Sequence, residues 1–257
     1  MLKLKDASRN DFHLWKSFEL DYEQKLLKVS REINKILVSA KNEQTLMAAH
    51  RRLKEYAELL KPWADIQAAN MVQRIYEANE RIWGMYAKRV KINLSYYVTQ
   101  GDLAPVLEKM KYEASGYIQS LSNKAAEDAV NIAQDAMMNG LRPAQIEDEI
   151  YKLGDITKNR ARLIARTEVA RSNSMLIQAR AESIGCQAYI WQTAEDARVR
   201  ESHLEMNGKV CYWNDPPTLS DDTTTHPGQI YNCRCVPLPL LSEGELNEAL
   251  EAQDKVA

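Results

Sequence analysis

Gly84 is the first glycine in the chain, and Pro62 is the one proline before it. A stretch of that length, rich in Leu, Ala, Lys, Glu, Gln and Arg, has almost nowhere to turn and is committed to long helices. The first segment, about Asp11 to Leu37, sets Trp15, Phe18, Leu26, Val29, Ile33 and Leu37 on one apolar stripe opposite a charged face. A second runs from Asn42, a plausible N-cap, to Leu60, where Pro62 closes it. A third is expected from Ala64 to Val98, which at ~1.5 Å per residue would extend for ~50 Å. Gly101-Asp102 breaks the pattern, and a fourth helix reaches Asn139 with Gly140 as its terminator. No His, Cys or acidic cluster recurs at ligand spacing here, so residues 1–139 read as a structural, partner-binding bundle or arm.

The texture changes at Gly140. GLRPAQIEDEIYKLG reads as a short helix stopped by Gly154, and a longer basic helix follows, from Asp155 or Thr157 to Gly185. QAYIWQT, GKVCYW and CRCVPL are strand candidates, and a loop long for a compact domain separates the last two. The fold class expected is mainly α: long helices, a small α+β domain over residues 140–241, and a short acidic tail over 242–257. No apolar run approaches a membrane span, and MLKLKDASRN lacks the apolar core of a secretory signal. With 34 Lys+Arg against 36 Asp+Glu, the chain is not a basic nucleic-acid coat.

Chemistry concentrates late in the chain. All four cysteines, Cys186, Cys211, Cys233 and Cys235, lie in the last third, with His203 and His226 among them. In a reduced compartment these suggest a metal before a disulfide framework. Imidazole and thiolate are the donors zinc prefers, and His203, His226, Cys233 and Cys235 could close a tetrahedron around it, with Cys211 in reserve. The competing reading makes His226-Pro227-Gly228 a plain turn, and Cys233 and Cys235 core residues on one strand face flanking an exposed Arg234. Glu168, on a stripe carrying apolar residues, calls for a structural ion pair with Arg198 or Arg200. Arg160, Arg162, Arg166 and Arg171 are candidates for DNA contact. Neither a Gly-rich phosphate loop nor a GxSxG or HExxH motif occurs.

Four pieces in series, GLRPAQIEDEIYKL, RARLIARTEVARSNS, YIWQTAEDARVRESHLEMNGKV and HPGQIYNCRC, resemble the phage head morphogenesis proteins similar to the Mu F minor head protein. The resemblance covers about residues 140–235 and carries the family pattern onto Arg166, Thr167, Glu168, Trp191, Asp196, Arg198, Arg200, His203, Gly208, His226, Pro227, Cys233, Arg234 and Cys235. It implies a minor component of the virion, inside the head near the portal and in the host cytoplasm during assembly. Such a protein would have the portal and other head proteins as partners, and possible non-specific contact with DNA. The leading expectation is therefore a non-enzymatic assembly protein. The alternative is a metal-dependent nuclease or toxin-like enzyme using His203 and Glu168.

Overall fold

The computed structural model describes residues 4–90 and 103–254. The expected end of the third helix at Val98 and the Gly101-Asp102 break lie outside the described residues. The chain is mainly α with a small antiparallel sheet near its end, as the sequence requires. Among the described residues four long helices come first: α1 (Leu4–Leu37), α2 (Glu43–Val90), α3 (Ala104–Asn139) and α4 (Pro143–Ser183). Then follow β1 (Ala188–Gln192), a single-turn α5 (Glu201–Leu204), β2 (Val210–Tyr212), β3 (Val236–Pro239) and α6 (Glu243–Asp254).

Several boundaries follow from local chemistry. Asn42 Oδ1 accepts the Thr45 N–H at 2.9 Å while Thr45 Oγ1 accepts the Asn42 N–H at 3.0 Å, a reciprocal cap that starts α2. Gly140 and Gly185 take φ of +63° and +75°, the left-handed conformation that ends α3 and α4. Pro143 occupies the first position of α4, where its missing N–H costs nothing.

Two expected helix ends are absent. Pro62 does not close a helix; α2 runs through it. Its ring is exposed, so water can serve the carbonyl it strands, while the buried stripe Leu53, Ala57, Leu60, Ala64, Ala68 continues unbroken on the opposite face. Packing outweighs the local breaker. Replacing Pro62 with Ala should therefore stabilise the chain by about 1–2 kcal/mol, a helix-interior gain reduced by the freer unfolded chain. A thermal melt reads the shift, and an unchanged or lower melting temperature would contradict a continuous α2. Gly154 likewise lies inside α4, because a Cβ there would stand 2.7 Å from Asn34 Oδ1 on α1. The glycine marks a close helix approach, and Thr157 bonds its hydroxyl back to the Leu153 carbonyl at 2.9 Å instead of capping.

The described residues form two compact units, and each long helix contributes to both. One comprises Glu19–Asn70 and Met110–Arg166. Here α3 presents Ala125, Ala126, Ala129, Ala133 and Ala136, all buried, and such small side chains let backbones come close. Ser122 accordingly donates to the Leu53 carbonyl at 2.7 Å, and His50 Nδ1 sits 3.0 Å from the Ala126 carbonyl. Arg162 and Arg166 of α4 pair with Glu23 and Glu19 of α1 at 3.3 and 3.2 Å. No described helix is long and apolar enough to cross a membrane.

The other unit comprises the described residues of Met1–Phe18, Met71–Lys109 and Thr167–Ala257 and holds the sheet. Its strand order is β2-β1-β3, antiparallel throughout, with Tyr189 opposite Cys211 on one side and Trp191 opposite Pro237 on the other. Tyr189 and Trp191 share one face by the two-residue strand period. They pack with Trp83 of α2, Ala181 of α4, Trp213, Leu219 and the three cysteines Cys211, Cys233 and Cys235. Cys233 and Cys235 precede β3 and are not part of it.

Candidate metal centre

The loop between β2 and β3 is pinned at several points along its length. Thr218 and Thr224 hydroxyls meet at 2.9 Å, Ser202 donates to Asp221 at 2.9 Å, and Ser174 of α4 donates to the Pro227 carbonyl at 2.6 Å. Asn232 takes φ of +60°, which Asn tolerates better than most residues, and its N–H donates to Thr167 Oγ1 at 3.0 Å. That bond explains a Thr in the RTE string and an Asn in NCRC: together they aim the following Cys-Arg-Cys segment.

Within that segment successive side chains alternate. Cys233 and Cys235 turn inward, each 2% exposed, and Arg234 turns the other way. The single turn α5 brings His203, also 2% exposed, over the two sulfurs. Its Nδ1 lies 3.4 Å from Cys235 Sγ and 3.5 Å from Cys233 Sγ, and one donor atom from each residue falls within a 4.8 Å cluster. His203 Nε2 is buried without a hydrogen-bond partner among the described residues, and the ring meets Trp191 edge-on at 5.3 Å. The Gly228 N–H donates to Cys233 Sγ at 3.2 Å. The neighbouring Cys235 thiol, with His203 adding to the effect, lowers the pKa of Cys233, while the same neighbour and burial raise that of Cys235.

His226, the other imidazole of the expected set, is placed elsewhere. Its Nδ1 is 2.8 Å from the Tyr189 hydroxyl, its ring packs against Tyr189 and Trp213, and burial lowers its pKa. The HPG turn reaches the cluster through the backbone of Gly228. Cys211 faces Tyr189, its thiol raised to about 11 by burial, and Cys186 bonds to the Leu240 carbonyl at 3.2 Å. The structure thus brings together His203, Cys233 and Cys235 from the sequence candidates. A tetrahedral zinc with bonds of about 2.0–2.3 Å holds sulfur and nitrogen donors roughly 3.5 Å apart, and the two sulfur–nitrogen separations are close to that.

The arginines around the cluster are organised by Asp196. Arg234, exposed in the competing core reading, is half-buried and grips Asp196 with both terminal nitrogens, and Arg198 adds a contact at 3.1 Å. Arg200, expected with Arg198 as a partner of Glu168, donates to the Tyr231 carbonyl at 2.8 Å. Glu168 itself is buried, 4% exposed. Nothing in the spacing ties residue 196 to residue 234, so that pair was not legible in the sequence. A small pocket opens over the cluster, and Arg198, Arg200, Asn232 and Arg234 line it beside the three donors.

The Arg234 guanidinium, then Arg198, holds the Asp196 carboxyl well below the usual carboxylate range. A depressed folded value means the pair stabilises fully above the unfolded value of ~3.9 and is lost as pH falls through the folded one. Partial exposure screens it, so Asp196→Asn should cost about 1 kcal/mol at pH 7 and nothing once the Asp196 carboxyl of the unsubstituted protein is protonated in the folded and the unfolded chain alike. Melting temperature against pH for both proteins checks this: the curves should converge on acidification, and a constant gap would contradict the pair.

A run of helices leads into a small sheet beside a buried His–Cys–Cys cluster, and comparison with known proteins shows what this part of the chain resembles. Residues 128–238, which contain all of α4, the sheet as far as Leu238 and the cluster, match the family described as phage Mu protein F like protein. Over that stretch, rather less than half of its length, the chain is similar to the Mu F-like proteins. It is also 35% identical over 157 residues to a protein of Haemophilus influenzae (strain ATCC 51907 / DSM 11121 / KW20 / Rd) described as uncharacterized. That match takes in 60% of this chain and 34% of the relative, so the chain spans about a third of the length of the curated protein it matches. No solved structure matches it.

Proposed function

We propose that the chain is a phage minor head protein that associates with the portal and inner capsid and assists head assembly, DNA packaging or DNA delivery. It acts in the virion and, during assembly, in the host cytoplasm, without catalysing a reaction. The observation that carries this reading is the Mu F-like match over residues 128–238, which takes in the sheet as far as Leu238 together with the His–Cys–Cys cluster. The exposed apolar side chains support a docking role: Leu59 and Ile66 on α2 are 79% and 56% exposed, and Tyr112 on α3 is 83% exposed. Leu59 and Ile66 are seven residues apart, so they share a helix face that a partner helix or groove could cover.

DNA contact enters through phosphates alone. Of Arg160, Arg162, Arg166 and Arg171, two are paired to Glu23 and Glu19, which removes much of their charge from such contacts. Binding is therefore weak, non-specific and steeply reduced by salt.

The second reading, a metal-dependent hydrolase, draws on one observation: three protein donors would leave a metal one open position. Against it, the residues lining the pocket include arginines and an asparagine but no carboxylate to act as base.

The test is co-expression with the portal protein encoded in the same phage genome, followed by affinity capture and sedimentation. Co-purification in a complex that survives gradient centrifugation, and weakens when Leu59 and Ile66 become Asp, supports the role. A chain that remains apart from portal and capsid proteins contradicts it.

A further inference from the structure

We propose that His203 Nδ1, Cys233 Sγ and Cys235 Sγ hold one zinc ion, with a water in the fourth position on the side of the arginine-lined pocket. The proposal stands on geometry and donor chemistry, independently of the head-protein role. The sulfur–nitrogen separations of 3.4 and 3.5 Å match the edges of a zinc tetrahedron. Two soft thiolates and an imidazole form a donor set zinc favours over the hard cations. Two thiolates neutralise the dication, so the centre can be buried without a net charge.

The surroundings support ligation. Gly228 N–H on Cys233 Sγ is the kind of outer-shell bond that steadies a thiolate ligand, and it is the HPG turn that supplies it. The turn can come that close only as glycine, since φ is +82° and a Cβ would stand 3.1 Å from the Cys235 carbonyl. Thr167, through the Asn232 N–H, fixes the segment from the α4 side. His226 serves as a packing residue on Tyr189 and is not a ligand. The fourth position is exchangeable because the pocket opens on it.

The test is elemental analysis of the full chain purified under reducing conditions, together with the absorption spectrum after replacement of the bound metal by cobalt(II). One zinc per chain is expected, as is a cobalt spectrum with thiolate charge transfer and the strong visible bands of a tetrahedral site. Cys233→Ser with Cys235→Ser should abolish both, while His226→Ala should keep the metal. Absence of stoichiometric zinc, another metal in its place, or a cobalt spectrum without thiolate charge transfer overturns the proposal. Metal lost from a His226→Ala protein whose circular dichroism is native would overturn the three-ligand set.

Discussion

Stripping the proposed zinc from the full chain with a strong chelator should lower its melting temperature by about 8–16 °C. The figure follows from mass action: an ion present at about a thousand times its dissociation constant stabilises the folded state by roughly 4 kcal/mol. In a chain of this size each kcal/mol shifts the midpoint by about 2–4 °C. The loss should fall on the unit that holds the sheet, because the cluster ties α5 to the Cys-Arg-Cys segment and that segment to α4. Tryptophan emission reports it directly, since Trp191 meets the His203 ring at 5.3 Å. Unlike a zinc finger, this unit has other buried contacts, with Trp83, Tyr189 and Trp213 in one core, so the metal-free chain should loosen and not unfold outright. An identical melt, with metal removal verified by elemental analysis, would show that the cluster holds without an ion.

Gly228→Ala should be strongly damaging for a one-methyl change in the β2–β3 loop. The added Cβ would meet Ser174 Cβ at 3.0 Å, the Cys235 carbonyl at 3.1 Å and the Ala170 carbonyl at 3.3 Å. Two of those neighbours are backbone atoms that cannot rotate away. A left-handed φ costs an alanine about 1–2 kcal/mol and overpacking about 1–3 more, so the sum is roughly 2–5 kcal/mol. Because the same residue donates to Cys233 Sγ, metal affinity should fall about 10–100-fold as well. Urea unfolding and competition with a zinc-binding dye measure the two effects. Full stability with weakened metal binding would assign Gly228 to the ligand shell alone, and no change in either would contradict the packing.

The long helices were legible because their signal is periodic and repeated over many turns. What misled was punctuation: Pro62 and Gly154 are local breakers, but the buried stripe on α2 and the approach of Asn34 to α4 are tertiary facts that override them. The sheet was legible in QAYIWQT because aromatic and β-branched residues alternate there. At the site, residue type pointed to His203, Cys233 and Cys235 before any geometry was known. Spacing alone did not separate His203 from His226, since both are histidines near the same loop. The difference lies in the Tyr189 hydroxyl, which meets one imidazole and not the other. Nor could the sequence show that Asp196 answers Arg234, since a pair that distant is visible only when the chain has folded.

Crystals of the full chain, grown without added metal and measured on both sides of the zinc absorption edge, test the centre most directly. The expected result is one anomalous peak that appears only above the edge, bonded to His203 Nδ1, Cys233 Sγ and Cys235 Sγ, with His226 on Tyr189. No peak there, or a peak ligated by His226 as well, would contradict it.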